Sequence, residues 1–383
     1  LPGASGFRWS YASNRSCQDL GRTKINFLQF HCYNHAMVNK LTRRNFLRLS
    51  ALGLTTLAFR PTYNFGELAE SDNLARVGTT SVSVYSQPDD ESQIKFQRYR
   101  DEIINIYYEV ISDKSPQYNP LWYRVWGGYI HCAHLQRVHV KLNPVPEKLS
   151  EGLHLVEITV PYALSYLQRK VGEWTPLYRL YFGTVHWAVG MVEGPDGEPW
   201  YRIVDELIQN ENLHYYIPAK HARLIPAEET SPISPDVNPD KKYIEVSLAA
   251  QELTAYEEGR VGLPTKISSR LDYQPLNEIP WNTPTGRFHV QTKMPSKHMG
   301  GAELTDDLEA YVLPGVPWVS FFEPENGIAF HGTYWHQNYG MPMSHGCINM
   351  KTEEARWLYR WVTPIGEMNK ITTIGYGTQV HVF

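Results

Sequence analysis

Two short runs near the C-terminal end hold residue types that suit chemistry better than packing: His331-Gly332-Thr333, and Ser344-His345-Gly346-Cys347-Ile348-Asn349. Cys347 has one histidine two residues before it and another sixteen residues before it, so a thiol, two candidate bases and a pliable backbone occur together. A thiol at its reference pKa of about 8.5 is only slightly ionised at neutral pH, so a nucleophilic cysteine needs a neighbouring base. His331 or His345 can supply it. Attack on an amide carbonyl builds an oxyanion; the N–H groups of Gly346 and Cys347 are the candidate donors to it, and Gly346 lets the main chain approach a substrate without a Cβ in the way. The pattern points to acyl transfer. Two other readings use the same residues: a buried structural cysteine beside core histidines, and a zinc site built from His331, His336, His345 and Cys347. Spacing alone leaves all three open, since cysteine–histidine constellations do not transfer between families.

The arrangement resembles the active-site motif of the L,D-transpeptidases, the YkuD-type enzymes of bacterial cell-wall synthesis: a histidine, a spacer, then Ser/Thr-His-Gly-Cys and commonly Arg or Asn two positions later. His331, Ser344, His345, Gly346, Cys347 and Asn349 fall on that pattern. Upstream, Ile244-Glu245-Val246-Ser247-Leu248 with Gln251 and Leu253 is similar to the strand that opens such a domain, and Thr283-Pro284-Thr285-Gly286 to its internal turn. The resemblance covers residues 241 to 383. It implies a cysteine acyl-enzyme formed on a tetrapeptide stem of peptidoglycan, and a cross-link between two third stem residues. In that reading Cys347 is the nucleophile, His331 the base and acid, the Gly332 carbonyl the group that orients the His331 ring, and His345 a support for the nucleophile or for the acceptor. Carbapenem sensitivity follows from the same resemblance, and neither cofactor nor metal is expected. Hydrolysis of the acyl-enzyme, which makes an L,D-carboxypeptidase, and a non-catalytic wall-binding scaffold are the competing functions.

Stepping outward, 383 residues suffice for two or three domains at roughly 100 to 200 residues each. Hydrophobic content of 42%, charged content of 20% and a net charge of −4 describe a globular chain without a basic footprint for nucleic acid. No run of 18 or more apolar residues marks a transmembrane helix. The first methionine is Met37, and residues 1–36 read as upstream sequence outside the fold. Thr42-Arg43-Arg44-Asn45-Phe46-Leu47-Arg48, followed by the weakly apolar Leu49 to Phe59, resembles a twin-arginine export signal, with signal and leader at 37–70. An extracytoplasmic location, periplasm or cell wall, follows from that resemblance. Beyond the leader only Cys132 and Cys347 remain, too few for a disulfide framework; a single bridge between them is the alternative to a free nucleophile.

Between leader and catalytic segment, short β-rich runs such as Thr80 to Tyr85 and Ile103 to Val110 alternate with turn formers. An internal echo follows. Trp122-Tyr123-Arg124-Val125, then Tyr129-Ile130 and His134, is matched by Trp200-Tyr201-Arg202-Ile203, then Tyr216-Ile217 and His221. The pattern resembles bacterial SH3-like modules, at 74–140 and 141–230. The aromatics have two readings, a stacking surface for sugars or stem peptides and the filling of small cores. His131, His134, His186 and His221 read as structural. Prolines from Pro226 onward mark a semi-rigid linker, with 231–242 as its last part, before the catalytic domain at 243–383. In that domain Ala355, Leu358, Tyr359 and Val362 form the apolar stripe of a helix that Thr352 can cap and Pro364 stops. The expected architecture is mainly β: a β-sandwich-like L,D-transpeptidase catalytic domain preceded by two SH3-like β-barrel modules, acting on stem peptides, with glycan strands as an open second partner.

Overall fold

Alternating and β-branched runs separated by Gly and Pro give strands almost throughout. The computed structural model describes Phe65 and residues 72–170, 172–207, 214–270, 283–300, 312–344, 346–367 and 369–383. The upstream segment 1–36, the paired arginines of the leader and His345 lie outside the described residues. Among the described residues no helix is long and apolar enough to cross a membrane.

The N-terminal module comprises β1 (Leu74–Val77), β2 (Ser81–Tyr85), β3 (Ile94–Tyr99), β4 (Ile103–Asn105), β5 (Tyr108–Ile111), β6 (Leu121–Val125), β7 (Gly128–His131) and β8 (Leu135–Val138). The middle module comprises β9 (His154–Ile158), β10 (Tyr162–Lys170), β11 (Glu173–Tyr181), β12 (Val185–Glu193), β13 (Pro199–Val204), β14 (Tyr215–Pro218) and β15 (Ala222–Leu224). Their sheets run β4-β1-β8 with β3-β2-β7-β6-β5 in the first, and β11-β10-β14-β13-β12-β9-β15 in the second. If β4 and β5 are taken as one strand broken where it passes between sheets, the two orders are the same. The run Ile103 to Val110 is therefore two strands: β4 pairs with β1 and β5 with β6, whereas in the middle module β12 alone pairs with both β9 and β13. The echoed motifs occupy equivalent places. Each Trp-Tyr-Arg lies on a strand (β6, β13), and each following tyrosine on the next (β7, β14). Each histidine ends a 3-10 turn before the last strand.

The motif aromatics fill cores: Trp122, Tyr123, Trp200 and Tyr201 are all at most 4% exposed. Burying rings of this size is what a small β module needs, since few other side chains remove as much apolar surface from water. Phe65, which the sequence reading assigns to the leader, also packs into the middle module, edge-on to Tyr162.

In the C-terminal domain, β16 (Lys242–Ser247), β17 (Glu252–Glu257), β18 (Arg260–Lys266) and β19 (Gly286–His289) precede β20 (Thr292–Gly300), β21 (Val312–Glu323), β22 (Ile328–Gly332) and β23 (Ile348–Met350). Helix α1 (Thr352–Trp361), β24 (Thr373–Ile374) and β25 (Gln379–Val382) follow. Two five-stranded sheets, β18-β17-β16-β25-β19 and β23-β22-β21-β20-β24, share one apolar core with α1. The run Phe288 to Thr292 crosses from one sheet to the other, with Val290 buried at the crossing.

Helix α1 starts one residue earlier than Thr352 as a cap requires. Lys351 is the N-cap residue and makes no side-chain cap bond, and Thr352 is the first helical residue. Glu353 and Glu354 still sit at the positive end of the helix dipole. Its C-terminal carbonyls are met by lysines from elsewhere in the chain. Lys293 Nζ donates to Val362 O at 2.9 Å, and Lys242 Nζ to Trp361 O at 3.3 Å and to Ile233 O and Ser234 O. Burial pulls the Lys293 ammonium down to about 7. The linker is thereby fastened to the C-terminal domain, with further bonds from Arg360 to Ser231 O and Glu228 O.

Residues Pro61–Phe383 form one compact unit, and cores run across the module boundaries. Leu155, Val185 and Trp187 of the middle module belong to the cluster under α1, while Leu74 and Val138 of the N-terminal module belong to the middle module's core. The three parts also meet at Arg76. Its guanidinium, 2% exposed, contacts Asp101 Oδ1 at 2.9 Å, Gln136 Oε1 at 2.9 and 3.0 Å, and the Tyr334 carbonyl at 3.0 Å, and lies 3.9 Å from the Tyr181 ring centre. Asp101 also pairs with Arg179 at 2.6 Å. Asp101 keeps Arg179, but Arg76→Ala leaves the buried Gln136 Oε1 and the Tyr334 carbonyl without their donor, so it is expected to lower folding stability by about 1–3 kcal/mol. Urea denaturation followed by tryptophan fluorescence measures this, and a midpoint equal to the parent's contradicts it.

Candidate active site

A parallel strand pair brings the two halves of the motif together. β22 and β23 align with Phe330 opposite Ile348, His331 opposite Asn349 and Gly332 opposite Met350. Side chains alternate along a strand, so Phe330, Ile348 and Met350 enter the core while His331 and Asn349 face the other way. Cys347, two residues before Asn349, belongs to that same outer face, where it packs against the cluster of Met294, Val319, Phe321 and Ala329. His331 and Cys347 line one cavity of about 700 Å³, together with Ser344, Met343, Trp335 and Asn349.

The turn before Cys347 is stitched by side chains. Ser344 Oγ donates to the Cys347 carbonyl and accepts from Gly346 N–H at 3.2 Å. Thr283 Oγ1 donates to the Gly346 carbonyl at 2.7 Å, and the N–H groups of Met343 and Ser344 both donate to Ser269 O. Gly346 has φ +123°, a conformation that side chains with a Cβ rarely adopt, so glycine is required there by backbone geometry as well as by access. The Gly346 N–H, a candidate oxyanion donor from its place in the motif, donates to Ser344 Oγ in the resting fold. Thr283 is a contributor that the sequence reading placed in a turn without seeing its contact.

His331 is 2% exposed and its Nδ1 lies 3.1 Å from the Gly332 carbonyl. Nδ1 therefore carries the proton and Nε2 keeps its lone pair. Burial pulls the ring down to about 4, while the carbonyl contact works the other way. Gly332 is needed beneath the helix: a Cβ there would meet Pro317 Cγ at 2.9 Å and Thr352 Cα at 3.1 Å.

Cys347 is a free, partly accessible thiol whose S–H donates to Gly327 O at 3.3 Å. Burial pushes it up to about 11, although the Ala329 N–H points at the sulfur and favours the thiolate. Both shifts favour the neutral forms, a thiol and an imidazole, over a thiolate–imidazolium pair.

Cys132 is buried in the N-terminal module and donates to Asn119 Oδ1 at 3.0 Å. Both thiols are free, so the bridge weighed from the sequence does not form. His336 has both ring nitrogens in use, at 3.2 Å from Asn338 N and 3.0 Å from the Asn349 carboxamide. Among the described residues no group of three or more His, Cys, Asp or Glu is placed to hold a metal. His131 and His186 are tied to neighbouring groups: His131 Nε2 lies 2.8 Å from Asn119 O, and His186 Nε2 lies 2.9 Å from Thr184 Oγ1. Of the site residues expected from sequence, Cys347, His331, Gly332, Ser344 and Gly346 converge here.

Residues 241–382 match the family model for YkuD, the L,D-transpeptidase catalytic domain. The chain has no match among curated proteins. Among solved structures it is similar to an L,D-transpeptidase of Xylanimonas cellulosilytica, at 26% identity over 38% of this chain and 62% of that one, with a TM-score of 0.27. It is also similar to a mutant L,D-transpeptidase of Enterococcus faecium, at 27% identity over 39% of this chain and 51% of that one, with a TM-score of 0.28. The isolated catalytic domain of an E. faecium enzyme gives 28% identity over 38% of this chain and 98% of that one, with a TM-score of 0.27. The chain thus spans less than two thirds of the first two proteins.

A thiol held up to about 11 has a simple signature. Alkylation of Cys347 by iodoacetamide is expected to keep rising with pH through 9 and 10 instead of levelling near the ordinary thiol value of about 8.5. Peptide-resolved mass spectrometry follows it; a plateau near 8.5 contradicts the burial argument.

Proposed function

We propose that the chain is a peptidoglycan L,D-transpeptidase working through a cysteine acyl-enzyme. The observation that carries this reading is the pairing of β22 with β23, which puts His331, its Nδ1 held by the Gly332 carbonyl, and Cys347 on one cavity. In the first half-reaction Cys347 Sγ bonds to the carbonyl carbon of the third stem residue while its proton passes to His331 Nε2. The oxyanion forms where the Cys347 N–H can reach it. Collapse breaks the amide bond, His331 returns its proton to the departing D-alanine amine, and a thioester remains. In the second half-reaction the side-chain amine of another stem attacks that thioester and gives its proton to His331. The sulfur departs and is reprotonated, leaving a cross-link between third residues. His345 supports the nucleophile segment or the acceptor. The same thioester attacked by water makes the protein an L,D-carboxypeptidase.

In this proposal the two N-terminal modules are SH3-like units that present the catalytic domain to the wall, stem peptides and glycan strands being their partners. The chain works outside the cytoplasm, exported by the twin-arginine route. Arg43→Lys combined with Arg44→Lys is expected to abolish export, because the receptor reads the pair and not its charge; equal extracytoplasmic yield refutes that route.

Incubation with a purified tetrapeptide donor tests the activity. A cross-linked dimer supports transpeptidation, a tripeptide indicates hydrolysis, and no turnover favours a wall-binding scaffold. Cys347→Ser is expected to stay folded and to lose the carbapenem adduct in intact-mass measurements. His331→Ala is expected to lose about 10²- to 10⁴-fold in acylation rate, with partial recovery at alkaline pH as the thiol ionises unaided. A persistent adduct in Cys347→Ser sinks the assignment.

A further inference from the structure

The loop 333–343 joins the strand of His331 to the segment of Cys347, and the N-terminal module supplies partners for several of its buried polar groups. Gln337 N–H donates to Ala133 O at 2.7 Å. Asn119 Nδ2 donates to Gln337 O at 3.0 Å and to Asn338 Oδ1 at 2.8 Å, and Tyr123 OH to Gln337 Oε1 at 3.2 Å. Asn119, His336 and Asn338 are all less than a tenth exposed.

From there the contacts lead to the nucleophile. His336 Nδ1 accepts from Asn338 N–H at 3.2 Å, and its Nε2 lies 3.0 Å from Asn349 Nδ2; with the proton on Nε2, a half-turn of the Asn349 carboxamide presents its oxygen to the ring as acceptor. Asn349 also exchanges backbone bonds with Ser268 at 2.9 and 3.0 Å. It lies opposite His331 in the strand register and two residues after Cys347. Each member of this chain is buried and each uses a group the next one needs, so the chain has one satisfied arrangement.

We propose that Asn119 of the N-terminal module and His336 are positioning residues for Cys347, acting through the relay Asn119–Asn338–His336–Asn349. Neither touches the reacting atoms. They hold the nucleophile segment against β22, so the module is part of the catalytic machinery and not only a wall anchor. Their effect on turnover rests on the acyl-transfer reading above; their effect on the placement of Cys347 does not.

Two readouts on the full chain test this: the rate of Cys347 acylation by a saturating carbapenem, and the pH profile of Cys347 alkylation by iodoacetamide. Asn119→Ala and His336→Leu are expected to slow acylation by about tenfold or more, since small misplacements of reacting groups are costly. The same variants are expected to move the alkylation midpoint from near 11 toward the ordinary value of about 8.5, as the loosened thiol becomes hydrated. Simple unfolding would also expose the thiol, so both readouts are taken under conditions where circular dichroism and a thermal melt show each variant fully folded. His336→Gln, which can accept from Asn338 N–H and donate to Asn349, is expected to remain within about threefold of the parent. If Asn119→Ala does not fold, Tyr123→Phe removes only the hydroxyl on Gln337, and a smaller shift in the same directions is expected. Parental acylation and a parental alkylation profile in the folded module variant overturn the relay, as does equal damage in His336→Gln and His336→Leu. A parent that carbapenem fails to acylate, with the alkylation shift intact, overturns the acyl-transfer reading and leaves the relay standing.

Discussion

The buried guanidinium of Arg76 is the point at which all three parts of the molecule depend on one another. It sits in the first strand, uses Asp101 and Gln136 of its own module, stacks on Tyr181 of the middle module and donates to the Tyr334 carbonyl, three residues after His331. Only arginine presents donors in a rigid fork able to serve several acceptors at once while its face rests on a ring. Burying such a charge is costly unless every N–H is used, so the three parts are held in one mutual arrangement or the guanidinium is stranded. Cores that cross the module boundaries reinforce this, since neither the catalytic sheet nor the module sheets close their apolar surface alone.

Within that frame the site is assembled by backbone geometry. Parallel pairing of β22 with β23 turns residues far apart in sequence into neighbours on one face. Burial favours neutral groups, which lowers the basicity of His331 and raises the thiol of Cys347. A neutral pair is compatible with the acyl transfer proposed above, in which charge develops only as the carbonyl is attacked. The carbonyl of Gly332 orients the ring without adding a second charge to the cavity.

The two N-terminal modules show how one strand order can serve different surroundings. Both end in a 3-10 turn and a short strand that returns to pair with the first strand of the module. The N-terminal copy breaks one strand into β4 and β5, whereas the middle copy keeps nine continuous residues with an irregularity between Ala188 and Gly190. The 3-10 turn of the N-terminal copy also meets the catalytic domain, where Ala133 O receives the Gln337 N–H.

How much of this was legible in the sequence follows from the range of the forces involved. Period-two alternation, turn residues and the repeated Trp-Tyr-Arg run reveal a mainly β chain, the strands and the echo between modules, because these depend on neighbours a few residues away. The motif around Cys347, with His331, Ser344 and Gly346, is legible for the same reason: nucleophile, base and turn need fixed residue types at short spacing. The start of α1 falls one residue from the expected place, at Thr352, whose Cα lies close over Gly332, a tertiary contact that propensity does not record. Only the tertiary structure could decide that Gly346 N–H is committed to Ser344, that Thr283 holds the nucleophile turn, that Cys132 and Cys347 stay unbridged, and that Asn119 lies in contact with the catalytic loop. Those outcomes come from hydrogen bonds and desolvation between groups up to 219 residues apart, and such partners exist only once the chain has closed around them.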